Sequence, residues 1–95
     1  MNINFVKVGK DKLPFKFSQR TNMIFEENTG IPITKMADPF STKNLIVFCL
    51  AALETGHKIQ EKDFNITQDE LLDLDDQYDI INQIISKFED NEKKQ

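Results

Sequence analysis

Alternating apolar and polar positions at the start of the chain predict a β-hairpin over residues 1–18. In the first strand Ile3 and Phe5 alternate with Asn2 and Asn4, and the second carries its apolar side chains at every other position: Leu13, Phe15 and Phe17. Residues 9–12 supply the glycine and aspartate that turns favour. Because Pro14 has no backbone donor, its strand should lie at an edge or beside a bulge.

A first helix is predicted over residues 19–29. Ser18 is a favourable residue for capping its N-terminus, and Met23, Ile24 and Phe25 are its apolar content. Gly30 can take the left-handed conformation after the last turn, and the proline that follows soon after it cannot continue a helix. Residues 31–40 are therefore expected to form a connecting loop.

The second helix, predicted over residues 42–55, is apolar on all sides from Leu45 to Leu53. A helix of this kind is buried on most of its faces, and it is too short to span a bilayer. Ser41 should cap its start, with Phe40 packing on Leu45. Gly56 is expected to end it.

Two more helices are predicted after residue 66. Thr67 and Glu70 have the spacing of a capping box, in which Glu70 also accepts from the Thr67 amide, and Ile66 and Leu71 provide the accompanying apolar contact. The acidic residues 73–76 should interrupt the helical run, with Asp75 capping a longer helix that ends near residue 90. Residues 91–95 are polar and are expected to be a frayed tail.

The last helix carries an apolar stripe at helical spacing that begins at Leu74 and is widened by Ile80 and Ile84. This stripe has two interpretations: all of it enters the protein's own core, or part of it binds another protein. Under the second, the candidate partner-binding residues are Tyr78, Ile81, Ile85 and Phe88. Replacing Ile81 or Ile85 by aspartate should then reduce partner capture while the chain stays folded.

These elements predict an α+β fold that is predominantly α, with an N-terminal β-hairpin followed by three to four helices. The 95 residues leave room for one domain and one core, with residues 19–90 as the helical part. Eight of the nine aromatic residues are phenylalanine, which predicts a core filled by rings without polar groups.

Charge is distributed unevenly along the chain, whose formal net charge is −4. Residues 1–20 hold five basic side chains and one acid, whereas residues 67–95 hold nine acids and three lysines. The acidic end should repel nucleic acid and the basic end is sparse, so nucleic-acid binding is disfavoured. With no signal peptide and no long apolar stretch, no membrane association is expected and the expected location is the cytoplasm.

The residue types that could carry chemistry are few. Cys49 lies in the apolar helix and is expected to be a buried hydrophobe. His57 follows Gly56 and is expected to face solvent at a helix end. One cysteine and one histidine cannot supply the four ligands of a structural zinc site.

A calcium-binding loop beginning at Asp63 is excluded by its own spacing. The sixth position is Gln68 where glycine is needed, and the twelfth is Leu74 where a bidentate glutamate is needed. Asp75 and Asp76 are more consistent with capping or solvated charges than with an acid–base pair. We therefore expect no metal, no cofactor, no catalytic residue and no enzymatic activity.

The order of these elements resembles the tail assembly chaperones of long-tailed bacteriophages and prophages. The resemblance lies in Phe25-Glu26-Glu27-Asn28-Thr29-Gly30, which is similar to the "F-E-x-x-T-G" end of their first helix, and in two later segments. These are Ser41-Thr42-Lys43-Asn44-Leu45, which leads into an apolar helix, and Thr67-Gln68-Asp69-Glu70-Leu71-Leu72-Asp73, which is similar to their third helix.

The resemblance implies a non-catalytic assembly function in the cytoplasm of a bacterial host. Such chaperones bind the long helical tape-measure protein, recruit tail-tube subunits and leave the finished virion; self-association is a further interaction to expect. The alternative is another small phage interaction protein or a structural tail-completion protein. A nucleic-acid-binding regulator and a small enzyme are the remaining, less favoured classes.

Overall fold

The computed structural model describes residues 3–8, 10–32, 41–73 and 77–93, with the side chains of the last segment described as far as Phe88. Within this part of the chain, two strands precede four helices. They are β1 (Asn4–Val8), β2 (Asp11–Phe15), α1 (Gln19–Thr29), α2 (Thr42–Ile59), α3 (Gln68–Asp73) and α4 (Gln77–Lys93). The predicted class, α+β with a hairpin before predominantly helical structure, is confirmed.

The two strands pair in antiparallel register, with Val8 opposite Asp11. Two residues therefore connect them, fewer than the predicted turn of residues 9–12. β2 ends at Phe15, so the predicted extension of the strand to Phe17 is wrong. The reason is that the Lys16 N–H donates to the Ala52 carbonyl of α2 at 3.0 Å, which takes the backbone out of the hairpin.

Helix α1 has the bounds that its capping residues predict. Ser18 is the N-cap residue, and its N–H donates to Thr21 Oγ1 at 3.1 Å. Gly30 has a φ of 74°, and its N–H donates to the Glu26 carbonyl at 2.8 Å. This is the left-handed C-cap expected of a glycine. Most of the predicted loop, including the proposed Phe40 contact, falls in residues 33–40, outside the described residues.

Helix α2 begins as predicted, with Ser41 Oγ accepting from the Asn44 N–H at 3.1 Å. The predicted end at Gly56 is wrong, because the helix continues to Ile59. A Cβ on Gly56 would lie 2.4 Å from Phe15 Cα, so this glycine permits close packing of α2 on β2. His57 is consequently inside the helix and buried, and does not face solvent as predicted.

α3 ends at Asp73 and α4 begins at Gln77, and the predicted interruption and Asp75 cap fall on residues 74–76, outside the described residues. Thr67 Oγ1 accepts from the Glu70 N–H at 3.1 Å, as a capping box requires. The Glu70 carboxylate accepts from the Thr67 hydroxyl at 3.2 Å, and not from the backbone amide as predicted. α4 continues to Lys93, past the predicted end near residue 90 and into the predicted frayed tail.

The core has two adjoining parts. The larger one joins the hairpin to α2, α3 and α4, and its buried side chains include Val6, Phe15, Leu53, Leu71, Ile80 and Ile84. The smaller one lies between α1 and α2, around Phe25 and Phe48. Phe17 packs against both parts, with its ring stacked on Phe48 at a centroid distance of 5.7 Å. The prediction of a ring-rich core is confirmed in this aromatic cluster.

Candidate partner-binding surfaces

The apolar stripe of α4 lies mostly inside the protein. Ile81 is only 8 % exposed, Ile85 packs against both parts of the core, and the Phe88 ring lies 5.0 Å from that of Phe48. Tyr78, in contrast, is 77 % exposed. The stripe is covered because α4 packs against both α2 and β1. Three of the four predicted partner-binding residues therefore pack in the core, and Tyr78 is on the surface.

A shallow groove of about 260 Å³ lies beside α1 and α2. Its apolar lining comes from three places along the chain: Ile24 of α1, Val47, Leu50 and Ala51 of α2, and Phe64 and Ile66 before α3. Polar side chains complete the lining: Asn28, Lys43, Glu54 and Gln68. We call this surface the α1–α2 groove.

The floor of the α1–α2 groove follows one face of α2. Lys43, Val47, Leu50 and Glu54 are separated by four, three and four residues, a spacing that places them on the same side of a helix. At 1.5 Å per residue this row is about 16 Å long. Between a cation at one end and a carboxylate at the other it carries the half-buried Leu50 and also Val47, which is 8 % exposed and belongs to the smaller part of the core.

The wall opposite α1 is a segment without helix or strand, residues 62–67. Phe64 and Ile66 are half-buried there and pack against the larger part of the core, whereas Asn65 between them is exposed. Sequence reasoning missed this wall. The alternation of Phe64 and Ile66 with polar neighbours is the signal that could have indicated an extended segment packed on the core.

A second surface lies where the hairpin meets α4. Phe5 is 46 % exposed there and lines a groove of about 350 Å³ with Phe15, Asn82, Gln83, Ser86 and Lys87. The Gln83 amide lies along the β1 backbone: its Oε1 accepts from the Lys7 N–H at 3.3 Å, and its Nε2 donates to the Lys7 carbonyl at 3.5 Å. We call this surface the hairpin groove.

The single thiol and the single imidazole are both in packed environments. Cys49 is fully buried, as predicted, and burial raises the pKa of its thiol to about 12. The thiolate needed for nucleophilic chemistry is therefore disfavoured near neutral pH. His57 Nδ1 lies 2.6 Å from the Leu53 carbonyl oxygen, which can only accept, so the proton is on Nδ1.

The His57 ring also packs edge-on against Phe64, with 5.1 Å between the centroids. This contact connects the end of α2 to the wall of the α1–α2 groove. The imidazole therefore has a structural role in supporting that wall.

The described residues contain neither a metal-binding cluster nor a membrane-spanning helix. In this part of the chain, histidine, cysteine, aspartate and glutamate side chains do not come together in groups of three or more that could hold a metal ion. No described helix combines the length and the apolar character needed to cross a membrane.

No protein-family model matches this chain, and no curated protein or solved structure matches it either. The family resemblance thus rests on the motifs themselves, each of which contributes one residue to the α1–α2 groove, Gln68 being that of the third motif. Asn28 belongs to the first motif and Lys43 to the second, and both line the groove.

Proposed function

We propose that this chain is a non-catalytic binding protein whose α1–α2 groove receives an amphipathic helix of another protein. The observation that carries the proposal is the row on α2, in which Val47 and Leu50 lie between Lys43 and Glu54. Helix-binding grooves accept apolar side chains spaced three or four residues apart, and this row is long enough for about three helical turns. Lys43 and Glu54, at the two ends of the row, favour a bound helix that is acidic at one end and basic at the other, and they fix the direction in which it lies.

Within that class, we propose a tail assembly chaperone of a long-tailed phage or prophage, acting in the bacterial cytoplasm. The resemblance of the three motifs supports this assignment, and so does the groove's fit to a helix. A tape-measure protein is a long helical chain whose apolar stripe needs cover before the tail tube encloses it. The chaperone would hold that stripe and recruit tail-tube subunits.

Co-expression with the neighbouring tape-measure and tail-tube genes, followed by pull-down on the tagged chain, tests the proposal. We expect the tape-measure protein to be retained, and Ile24→Lys to reduce its capture because a charge then enters the groove. Met23→Lys is the matched control: it is the same substitution one position earlier on α1, at a side chain that is 58 % exposed and does not line the groove.

The charged end of the groove has its own pair of variants. Lys43→Glu reverses a charge that lines the groove, and Lys12→Glu makes the same change at an exposed lysine of β2 outside its lining. Equal capture of the tape-measure protein by the two variants would contradict the α1–α2 groove as the binding site. Failure to retain any tape-measure protein would contradict the chaperone function, and presence of the chain in purified virions would favour a tail-completion protein.

A further inference from the structure

The wall of the α1–α2 groove begins next to a strained residue at the end of α2. The Lys62 N–H donates to the His57 carbonyl at 2.9 Å, and the Glu61 N–H donates to the Lys58 carbonyl at 3.1 Å. This pair of hydrogen bonds places Glu61 in the left-handed region, with a φ of 57°. Glycine usually takes this position, because a Cβ makes the left-handed conformation unfavourable. Among the described residues, Glu61 is the only non-glycine residue with a positive φ.

Residues 62–67, which we call the wall segment, are held against the protein by two side chains. Phe64 and Ile66 pack on the larger part of the core, while the residues on either side of Phe64 are exposed. No backbone group of residues 63–66 makes a hydrogen bond in the part of the chain that the structure describes. Segments with few buried apolar contacts are the parts of a protein that open most readily.

Both ends of the wall segment are fixed to helices. Lys62 is bonded to the last turn of α2, and Thr67 Oγ1 accepts from the Glu70 N–H at the start of α3. A short segment between two fixed ends moves as a unit about the residues that join it to those ends. Glu61 can serve as such a hinge, because rotation out of the left-handed region relieves its strain.

The α1–α2 groove is small for the helix that we propose as its ligand. An apolar cavity of about 150 Å³ holds one benzene-sized group, and the groove, at about 260 Å³, is less than twice as large. A helix that binds through residues at i, i+4 and i+7 brings three apolar side chains to its groove. Movement of Phe64 away from His57 removes one lining ring and widens the groove.

We propose that the wall segment opens about Glu61 while the rest of the chain stays folded, and that the open form binds the partner helix. The first part concerns the isolated chain, and the second rests on the helix-binding function proposed above. The structure is the closed form, in which the Phe64 ring packs against His57. Strain at Glu61 favours opening and the packing of Phe64 and Ile66 opposes it, so these two effects set the population of the open form.

Chymotrypsin cleavage after Phe64 measures the opening, because the protease can bind this ring only when it has left the core. Mass spectrometry identifies the cleaved bond, and cleavage that is slow relative to closing reports the population of the open form. Glu61→Gly should slow this cleavage by roughly three- to fivefold, because the strain that favours opening is removed. Gln60→Gly is the matched control: φ is −85° there, so no strain is relieved and the cleavage should not slow.

Two further measurements separate local opening from unfolding of the whole chain. Ile66→Ala removes part of the packing of the wall segment and should speed cleavage after Phe64 by roughly tenfold. Ile24→Ala makes the same truncation on the opposite side of the groove and should leave this rate unchanged. Cleavage after Phe64 should also depend weakly on urea, because opening of the wall segment exposes little surface.

Three results would overturn local opening. They are equal slowing by Gln60→Gly, equal acceleration by Ile24→Ala, and a urea dependence as steep as that of global unfolding followed by circular dichroism.

Binding of the tape-measure protein tests the second part separately. Glu61→Gly should weaken its affinity by the same factor by which it slows cleavage, because a smaller fraction of the chain is in the open form. Unchanged affinity in a variant whose cleavage is slowed would overturn binding by the open form and leave the groove as the binding site. No binding by the unmodified chain would contradict the proposed function, and with it the second part, while the cleavage rates still decide the first.

Discussion

Gly56 in α2 lies directly against the backbone of Phe15 in β2. A Cβ built on this glycine would be 2.4 Å from Phe15 Cα and 2.5 Å from the Phe15 nitrogen. Because the neighbouring atoms belong to backbone, they cannot move aside as the end of a side chain could. The contact sets how closely α2 approaches the hairpin, and thus where the hairpin lies relative to the rest of the core.

The first prediction follows from this contact. Glycine-to-alanine substitution inside a helix ordinarily stabilises by roughly 0.5–1 kcal/mol. Gly56→Ala should instead destabilise the protein by about 1–3 kcal/mol, as overpacking does. Urea unfolding followed by circular dichroism measures the difference. Gly56→Val should lower the free energy of unfolding more than Gly56→Ala does. A Gly56→Ala variant that is more stable than the unmodified chain would show that α2 and the hairpin can move apart without loss of stability.

The second prediction concerns a buried pair of hydroxyls between α1 and α2. Thr21 Oγ1 lies 2.7 Å from the Lys16 carbonyl and 2.9 Å from Thr55 Oγ1, which in turn lies 2.8 Å from the Ala51 carbonyl. Each threonine has one hydroxyl proton, so the two hydroxyls can donate in only two of these three contacts at a time. The two side chains therefore form one shared hydrogen-bond network. Thr21→Val or Thr55→Val should each cost about 1–3 kcal/mol, because polar groups that are buried lose their partner.

A double-mutant cycle distinguishes this network from simple packing. The double valine variant should cost less than the sum of the two single variants, since it removes both hydroxyls of the contact. Thr55→Ser keeps the hydroxyl and should retain most of the stability. Additive losses in the cycle would contradict a shared network.

Capping residues explain why much of the fold could be predicted from the sequence. The starts of α1 and α2 follow from Ser18 and Ser41, and the end of α1 follows from Gly30, because each is a local interaction over a few residues. The end of α2 does not follow from local sequence. The local sequence favours a helix end at Gly56, but the position requires glycine because α2 packs there against Phe15, about 40 residues earlier in the chain.

The candidate surfaces were harder to predict for the same reason. Periodicity showed that α4 has an apolar stripe, but only the packing of α4 on α2 and β1 shows that Ile81 is covered and Tyr78 is not. The α1–α2 groove requires the segment around Phe64 to lie across α2, and no helix or strand pattern indicates where such a segment lies. The alternating pattern identifies Phe5 as an apolar strand residue, but its exposure depends on the hairpin register and on the packing of α4.

The third prediction concerns the Cys49 thiol. Its pKa is raised to about 12 by burial, so the neutral thiol is favoured in the folded state. A group of this kind stabilises the fold fully below its unfolded pKa, near 9, and that contribution is lost as pH rises from there toward about 12. Stability should therefore fall over this range, and Cys49→Ala should show a smaller fall than the unmodified chain.

Thiol labelling gives a second measure of the same burial. Ellman's reagent at pH 8 should not react with the folded chain and should react with one thiol per chain after unfolding in urea. Labelling of the native protein at the rate of the unfolded one would show that the helix opens around Cys49.

The last prediction separates the two interpretations of the α4 stripe. Ile81→Asp would bury a carboxylate in the core, a change that costs several kcal/mol. Ile85→Asp should also destabilise the chain, to a smaller extent because Ile85 is half-buried. Tyr78→Asp makes the same change in charge on the same helix at an exposed side chain, so its stability should stay within about 0.5 kcal/mol of the unmodified chain.

Pull-down with the same three variants then shows which part of α4 binds a partner. Loss of capture by Ile81→Asp together with loss of its folded circular dichroism spectrum would mean that this side chain acts through the core. Reduced capture by a folded Tyr78→Asp would place the contact at the exposed start of α4, because Tyr78 is the one of the four predicted residues that a partner can reach without unfolding the helix. A folded Ile81→Asp that loses capture would contradict the packing of α4 on α2 and β1, and would restore the stripe as a binding surface.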